Sequence, residues 1–140
     1  MFESVPAYSE FPGGYALQIY NESAFRHFLT IEARRAKRSR RPFLMILVTI
    51  RCSDGSLANL SDDIAAPLFG GLRASIREVD FVGWYREDFI PAAVLAQGPG
   101  ASAAASNRIT DRLLPEIRKQ LSAEQAMNVR VRTIRLGLKS

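Results

Sequence analysis

The run Phe43-Leu-Met-Ile-Leu-Val-Thr-Ile50 shows no polar alternation. That is the pattern of a strand covered by helices on both faces, and it is the expected central strand of a sheet. Upstream, apolar residues at Phe25, Phe28, Leu29, Ile31 and Ala36 follow a helical stripe that opens at a cap residue, Asn21. The stripe ends among Arg34, Arg35, Lys37, Arg38, Arg40 and Arg41, cations that complement a helix C-terminus, and Pro42 stops it. Downstream, Ser61 followed by Asp62 and Asp63 predicts a helix start, and Ile64, Leu68, Leu72 and Ile76 repeat at every fourth position. Pro67 falls near the first turns of this helix and predicts a kink or a late start. Asp80 to Tyr85 and Phe89 to Leu95 are β-rich and separated only by Arg86, Glu87 and Asp88, which predicts a tight hairpin. After the break at Gln97-Gly-Pro-Gly100, residues Ile109, Leu113, Ile117 and Leu121 form one helical stripe, with Pro115 expected to bend or restart the helix. Val129 to Leu136 alternates strictly, the pattern of a half-exposed strand at a sheet edge.

From Phe43 onward the expected order is β-α-β-β-α-β, the split arrangement of ferredoxin-like folds, preceded by an extra N-terminal helix. Leu17 to Tyr20 adds a short strand. Met1 to Tyr15 carries Pro6, Pro12, Gly13 and Gly14 without a sustained period and reads as an arm. The expected organisation is an arm over residues 1–20 and one α/β (α+β) domain over residues 21–140. A chain of 140 residues suits a single core.

Composition narrows the class. With 47% hydrophobic and 24% charged residues the chain is that of an ordinary globular protein and not of a disordered one. Its longest apolar run is far shorter than the roughly 20 residues needed to cross a bilayer. With no signal segment at the start, the expected compartment is the cytoplasm, without membrane insertion. Cys52 cannot form an internal disulfide, and no His or second Cys stands at metal-ligand spacing from it. Nineteen Lys+Arg against fourteen Asp+Glu give a net charge of +5, which favours anionic partners without identifying one. The Arg34 to Arg41 run could neutralise phosphates, but no ladder of aromatics accompanies it to stack bases. Aliphatic stems on the core with solvated heads are the better reading, and nucleic acid is not an expected partner. His27, Trp84, Tyr85 and Cys52 are read as packing or surface residues without a chemical role.

Taken together, Glu32-Ala-Arg-Arg-Ala-Lys-Arg38 before Pro42, the apolar strand, and Arg77-Glu-Val-Asp80-Phe-Val-Gly-Trp-Tyr85 running into Arg86-Glu-Asp-Phe89 resemble a GGDEF (diguanylate cyclase) domain. The resemblance spans roughly Asn21 to Gly137 and stops before the family's last helix and strand. It implies a ferredoxin-like core of truncated GGDEF type. Active members need carboxylates on the central strand and the hairpin to hold the divalent metals that bridge a nucleoside triphosphate. At the strand positions that would supply them stand Thr49 and Arg51. The hairpin should offer two glycines so that backbone can approach phosphates, and Arg86, Glu87, Asp88 and Phe89 form a degenerate signature with one residue deleted. Glu87 or Asp88 could hold one cation, but no partner acid is evident. The resemblance thus implies no catalytic residues, no metal site and no cofactor.

A second element of the family pattern is present. Arg77 and Asp80 stand as RxxD before the hairpin, a motif that in many GGDEF domains forms an inhibitory site for cyclic di-GMP, and Arg108 matches by position a further arginine of such sites. An Arg fork can bond a guanine edge or a phosphate, and an acid can accept guanine N–H groups. The plain alternative is an i,i+3 surface ion pair beside a solvated helix residue. The expected function is a non-catalytic regulatory domain that binds cyclic di-GMP through Arg77, Asp80 and Arg108, with a site of the kind often shared across a homodimer. The alternatives are a protein–protein interaction scaffold without a nucleotide ligand, which docks a protein partner through the basic helix or the Val129 to Leu136 edge, and a weak nucleotide binder using Glu87 or Asp88.

Overall fold

A computed structural model describes residues 8–9, 19–76, 80–95 and 103–136. The elements are β1 (Tyr8–Ser9), β2 (Ile19–Tyr20), α1 (Glu22–Ser39), β3 (Phe43–Ile50), α2 (Asp62–Ala74), β4 (Phe81–Arg86), β5 (Ile90–Leu95), α3 (Ala103–Lys119), α4 (Ala123–Asn128) and β6 (Val129–Leu136). They build one six-stranded sheet of order β1-β2-β4-β5-β3-β6. Within it β4-β5-β3-β6 are all antiparallel neighbours, the ferredoxin-like core expected from the element order. β2 extends this core as a parallel neighbour of β4, and β1 pairs antiparallel with β2.

β3 lies inside the sheet between β5 and β6, and seven of its eight residues are buried. Its alternation divides the core. Phe43, Met45 and Leu47 join Phe25 and Ala36 of α1 on one face, while Ile46, Val48 and Ile50 join Leu68, Phe69 and Leu72 of α2 and Leu113 and Ile117 of α3 on the other. Each such fully buried side chain contributes about 1.5–3 kcal/mol. Along β6 only Val129 is buried, Arg130, Arg132 and Arg135 are exposed and the other residues are half-buried, as its alternation predicts for an edge.

Local chemistry sets the helix ends. Asn21 Oδ1 accepts from Ala24 N at 2.9 Å at the start of α1, and Arg40 takes the left-handed conformation (φ 60°) that closes it. Ser61 occupies the N-cap of α2 without a side-chain cap bond. Neither proline interrupts its helix: Pro67 lies within α2 and Pro115 within α3. Neither a late start at Pro67 nor a restart at Pro115 occurs, and each helix keeps packing its apolar stripe across its proline. Pro91 sits in β5 opposite Trp84, next to the register shift between Trp84 and Arg86, where a missing N–H is tolerated.

Candidate functional site at the β4–β5 hairpin

Glu87, Asp88 and Phe89, which follow Arg86 at the end of β4, form the turn of the hairpin. Phe89 N donates to Arg86 O at 3.0 Å, and Asp88 adopts φ 68°. Left-handed backbone is normally supplied by glycine or asparagine, and aspartate tolerates it. The Arg86 guanidinium lies over the Phe89 ring at 4.7 Å.

Two contacts distant in sequence hold this turn. Glu87 N donates to Glu22 Oε1 at 2.7 Å, and Glu22 N donates to Glu87 Oε1 at 2.9 Å. Each acid thus accepts from the other's backbone, and Glu87 satisfies one of the orphan N–H groups at the start of α1. On the other side Leu60 N, just before α2, donates to Asp88 O at 2.7 Å. Arg26 completes the cluster, with Nε 3.2 Å from Glu22 Oε2 and its guanidinium 4.4 Å above the Tyr85 ring.

Burial in the turn pushes the Glu87 carboxyl above its ordinary value of 4.5; the Glu22 N–H pulls it down, and the Asp88 and Glu22 charges push it further up. A raised carboxyl favours the folded state while protonated and loses that contribution as pH rises from its unfolded value through its folded one. Glu87→Gln keeps an acceptor for Glu22 N but removes the titration. We expect this variant to flatten the fall in stability above about pH 4.5 seen by chemical denaturation, by under about 1 kcal/mol because the group is exposed.

Of the strand positions singled out in the sequence, Thr49 lies on β3, the neighbour of β5 in the sheet, and Arg51 just past the end of β3. Thr49 is half-buried on the α1 face and pairs with Arg130. Arg51 is exposed and donates from Nη1 to Gly55 O at 2.8 Å, closing a loop in which Asp54 accepts from Ser56 Oγ at 2.6 Å. That bond holds the Asp54 carboxyl below its ordinary range. Among the described residues no three His, Cys, Asp or Glu side chains are grouped so as to hold a metal ion.

Of the RxxD motif, Arg77 lies outside the described residues. Asp80 is 3% exposed, and its carbonyl accepts from Arg73 Nη1 at 2.9 Å. Arg108 is exposed on α3, which packs beside α2 on the sheet face opposite α1. A cleft of about 520 Å³ opens elsewhere, at the C-terminal end of α1, between Glu32, Arg35, Ala36, Arg38, Ser39 and Arg41. Its buried acid, Glu32, is paired with Arg35 at 3.6 Å. His27, expected to be partly buried, is exposed.

Sequence reasoning missed Glu22, Arg26 and Leu60 as partners of the hairpin. Glu22 was visible only as an acid following a cap residue; its partner is 65 positions away.

This fold is like that of solved GGDEF domains. The chain is similar to the FimX GGDEF domain from Pseudomonas aeruginosa, with a TM-score of 0.67 at 20% identity over 97% of this chain and 83% of that one. It is similar also to the GGDEF domain of DgcB from Caulobacter crescentus, solved in complex with c-di-GMP (0.60, 10% identity, 91% and 77% covered). A third likeness is to the diguanylate cyclase SiaD from Pseudomonas aeruginosa, solved with its activator SiaC (0.54, 13% identity, 84% and 46% covered). At such identities the likeness is one of fold. No protein-family model and no curated protein matches the chain. Among the described residues no helix is long and apolar enough to cross a membrane.

Proposed function

We propose that this chain is a non-catalytic regulatory domain of cyclic di-GMP signalling that keeps the GGDEF fold and has lost its chemistry. The observation that carries this reading is the engagement of Glu87. The acid nearest to the family's signature accepts from the α1 backbone, where it acts as a structural cap of the fold. The other donors do not fit a divalent cation either: Thr49 offers a hydroxyl, and Arg51 a cation already bonded to its own loop. No phosphoryl-transfer step is therefore assigned to this site.

The ligand reading rests on Arg77, Asp80 and Arg108, with cyclic di-GMP suggested by the DgcB complex. Asp80 is buried, so binding requires its carboxyl to become accessible to the ligand, and Arg77→Ala is the cleaner probe. The test is calorimetric titration with cyclic di-GMP, with GTP plus magnesium in parallel. We expect micromolar cyclic di-GMP binding, weakened about tenfold or more in Arg77→Ala through loss of charge-assisted bonds, and no turnover of GTP. Silence in both titrations would remove the nucleotide and leave a protein-binding scaffold, a reading favoured by the SiaD–SiaC complex and by the open edge of the sheet.

A further inference from the structure

β6 is the outermost strand of the sheet, paired with β3 along all eight residues and with no other described strand. The register shows which of its backbone groups are engaged. Arg51 N donates to Asn128 O at 3.1 Å, so these residues face each other as a hydrogen-bonded pair. In an antiparallel ladder such pairs alternate with non-bonded ones. Arg130, Arg132, Ile134 and Leu136 therefore turn their main-chain groups toward Thr49, Leu47, Met45 and Phe43. Val129, Val131, Thr133 and Arg135 turn theirs outward, leaving a row of donors and acceptors at the edge.

The two faces of this edge differ. On the α1 side stand Arg130 and Arg132, both exposed, and neither pairs with a carboxylate among the described residues. On the opposite side stand Val129, Val131 and Thr133, the two valines packed with the α2–α3 core, and beyond them the exposed Arg135 near the end of the strand. Met127, 83% exposed, adjoins the start of the strand. A second copy of β6 added in parallel register would set arginine beside arginine, which disfavours that pairing. A strand with carboxylates on one face and apolar residues on the other complements both sides.

We propose that β6 is a docking edge for an extended segment of a partner protein with alternating acidic and apolar residues. The segment adds to the sheet as a further strand. Its main chain bonds Val129, Val131 and Thr133, its carboxylates face Arg130 and Arg132, and its apolar residues continue the surface of Val129 and Val131. This surface is independent of the nucleotide reading and does not involve Arg77.

The test uses the full chain and a fluorescent eight-residue peptide of alternating Glu and Val, read by anisotropy. A peptide of the same composition in two blocks serves as control. We expect the alternating peptide to bind and the block peptide to bind more weakly. Arg130→Glu with Arg132→Glu, both at exposed positions, should weaken binding about tenfold or more by turning attraction into repulsion. Thr133→Pro removes an outward N–H while sparing the β3 ladder, and should abolish binding with the circular dichroism unchanged. Absence of binding by the alternating peptide overturns the proposal. So does equal binding of both peptides, or binding indifferent to the double charge reversal, and if Thr133→Pro unfolds, the charge reversal and the block peptide still decide. Displacement of the peptide by a single-stranded oligothymidylate that binds more tightly through the same arginines would also overturn it, in favour of nucleic acid.

Discussion

Phe25→Ala is expected to lower the stability of the fold by about 3–5 kcal/mol, the range for removing a fully buried aromatic ring. Phe25 is 0% exposed and is the residue through which α1 enters the core. Its ring meets that of Phe81 edge-on at 5.5 Å and clusters with Phe43, Met45, Leu47, Ala92 and Val94. The cavity left by alanine cannot collapse easily, because its walls are strands bonded on both sides. The same helix begins at Glu22, so loosening it also weakens the bonds between Glu22 and Glu87 that hold the hairpin. In urea the midpoint should fall with an unchanged slope. A loss below about 1 kcal/mol would mean that α1 does not pack as described.

Gly83→Ala is expected to destabilise by about 1–3 kcal/mol although it adds only one methyl group. Gly83 lies in β4, buried, opposite Tyr20 of β2. A Cβ at this position would stand 2.7 Å from Phe25 Cδ1 and 2.7 Å from Tyr20 O. The phenyl ring can yield in part; the carbonyl belongs to the paired backbone of β2 and yields less. The glycine is needed here for close approach. Combining Gly83→Ala with Phe25→Ala should cost less than the sum of the two, since the ring is absent when the methyl arrives, with a coupling of about 0.5–3 kcal/mol in a double-mutant cycle. Strict additivity would show that the two residues do not touch.

Both effects converge where β2, β4 and α1 meet. Glu87 and Asp88 are each engaged by an element far away in sequence, α1 through Glu22 and the α2 lead-in through Leu60.

Much of this fold was legible in the chain. The Phe43 to Ile50 run, the four-residue spacing of Ile64, Leu68 and Leu72, the brief Arg86 to Asp88 interruption and the alternation of Val129 to Leu136 each report on contacts their own element makes. The helix α4 was also legible and was overlooked: Ser122 and Gln125 form a reciprocal capping box, a pattern readable at that spacing. The prolines do not end or restart their helices, because the packing of the whole apolar stripe acts beside the local penalty. β1 carries no signal, since two residues are too few to show a period.

The sequence alone determined where the longer elements lie and which faces they bury, because periodicity and capping act over a few residues. The tertiary structure alone decided that Glu87 caps α1, that Asp80 is buried, that Gly83 lies against Phe25 and that β6, among the described strands, pairs with β3 alone and presents arginines beside it. Those are pairings between residues tens of positions apart, and their energies arise only once the chain has closed the sheet that brings them together.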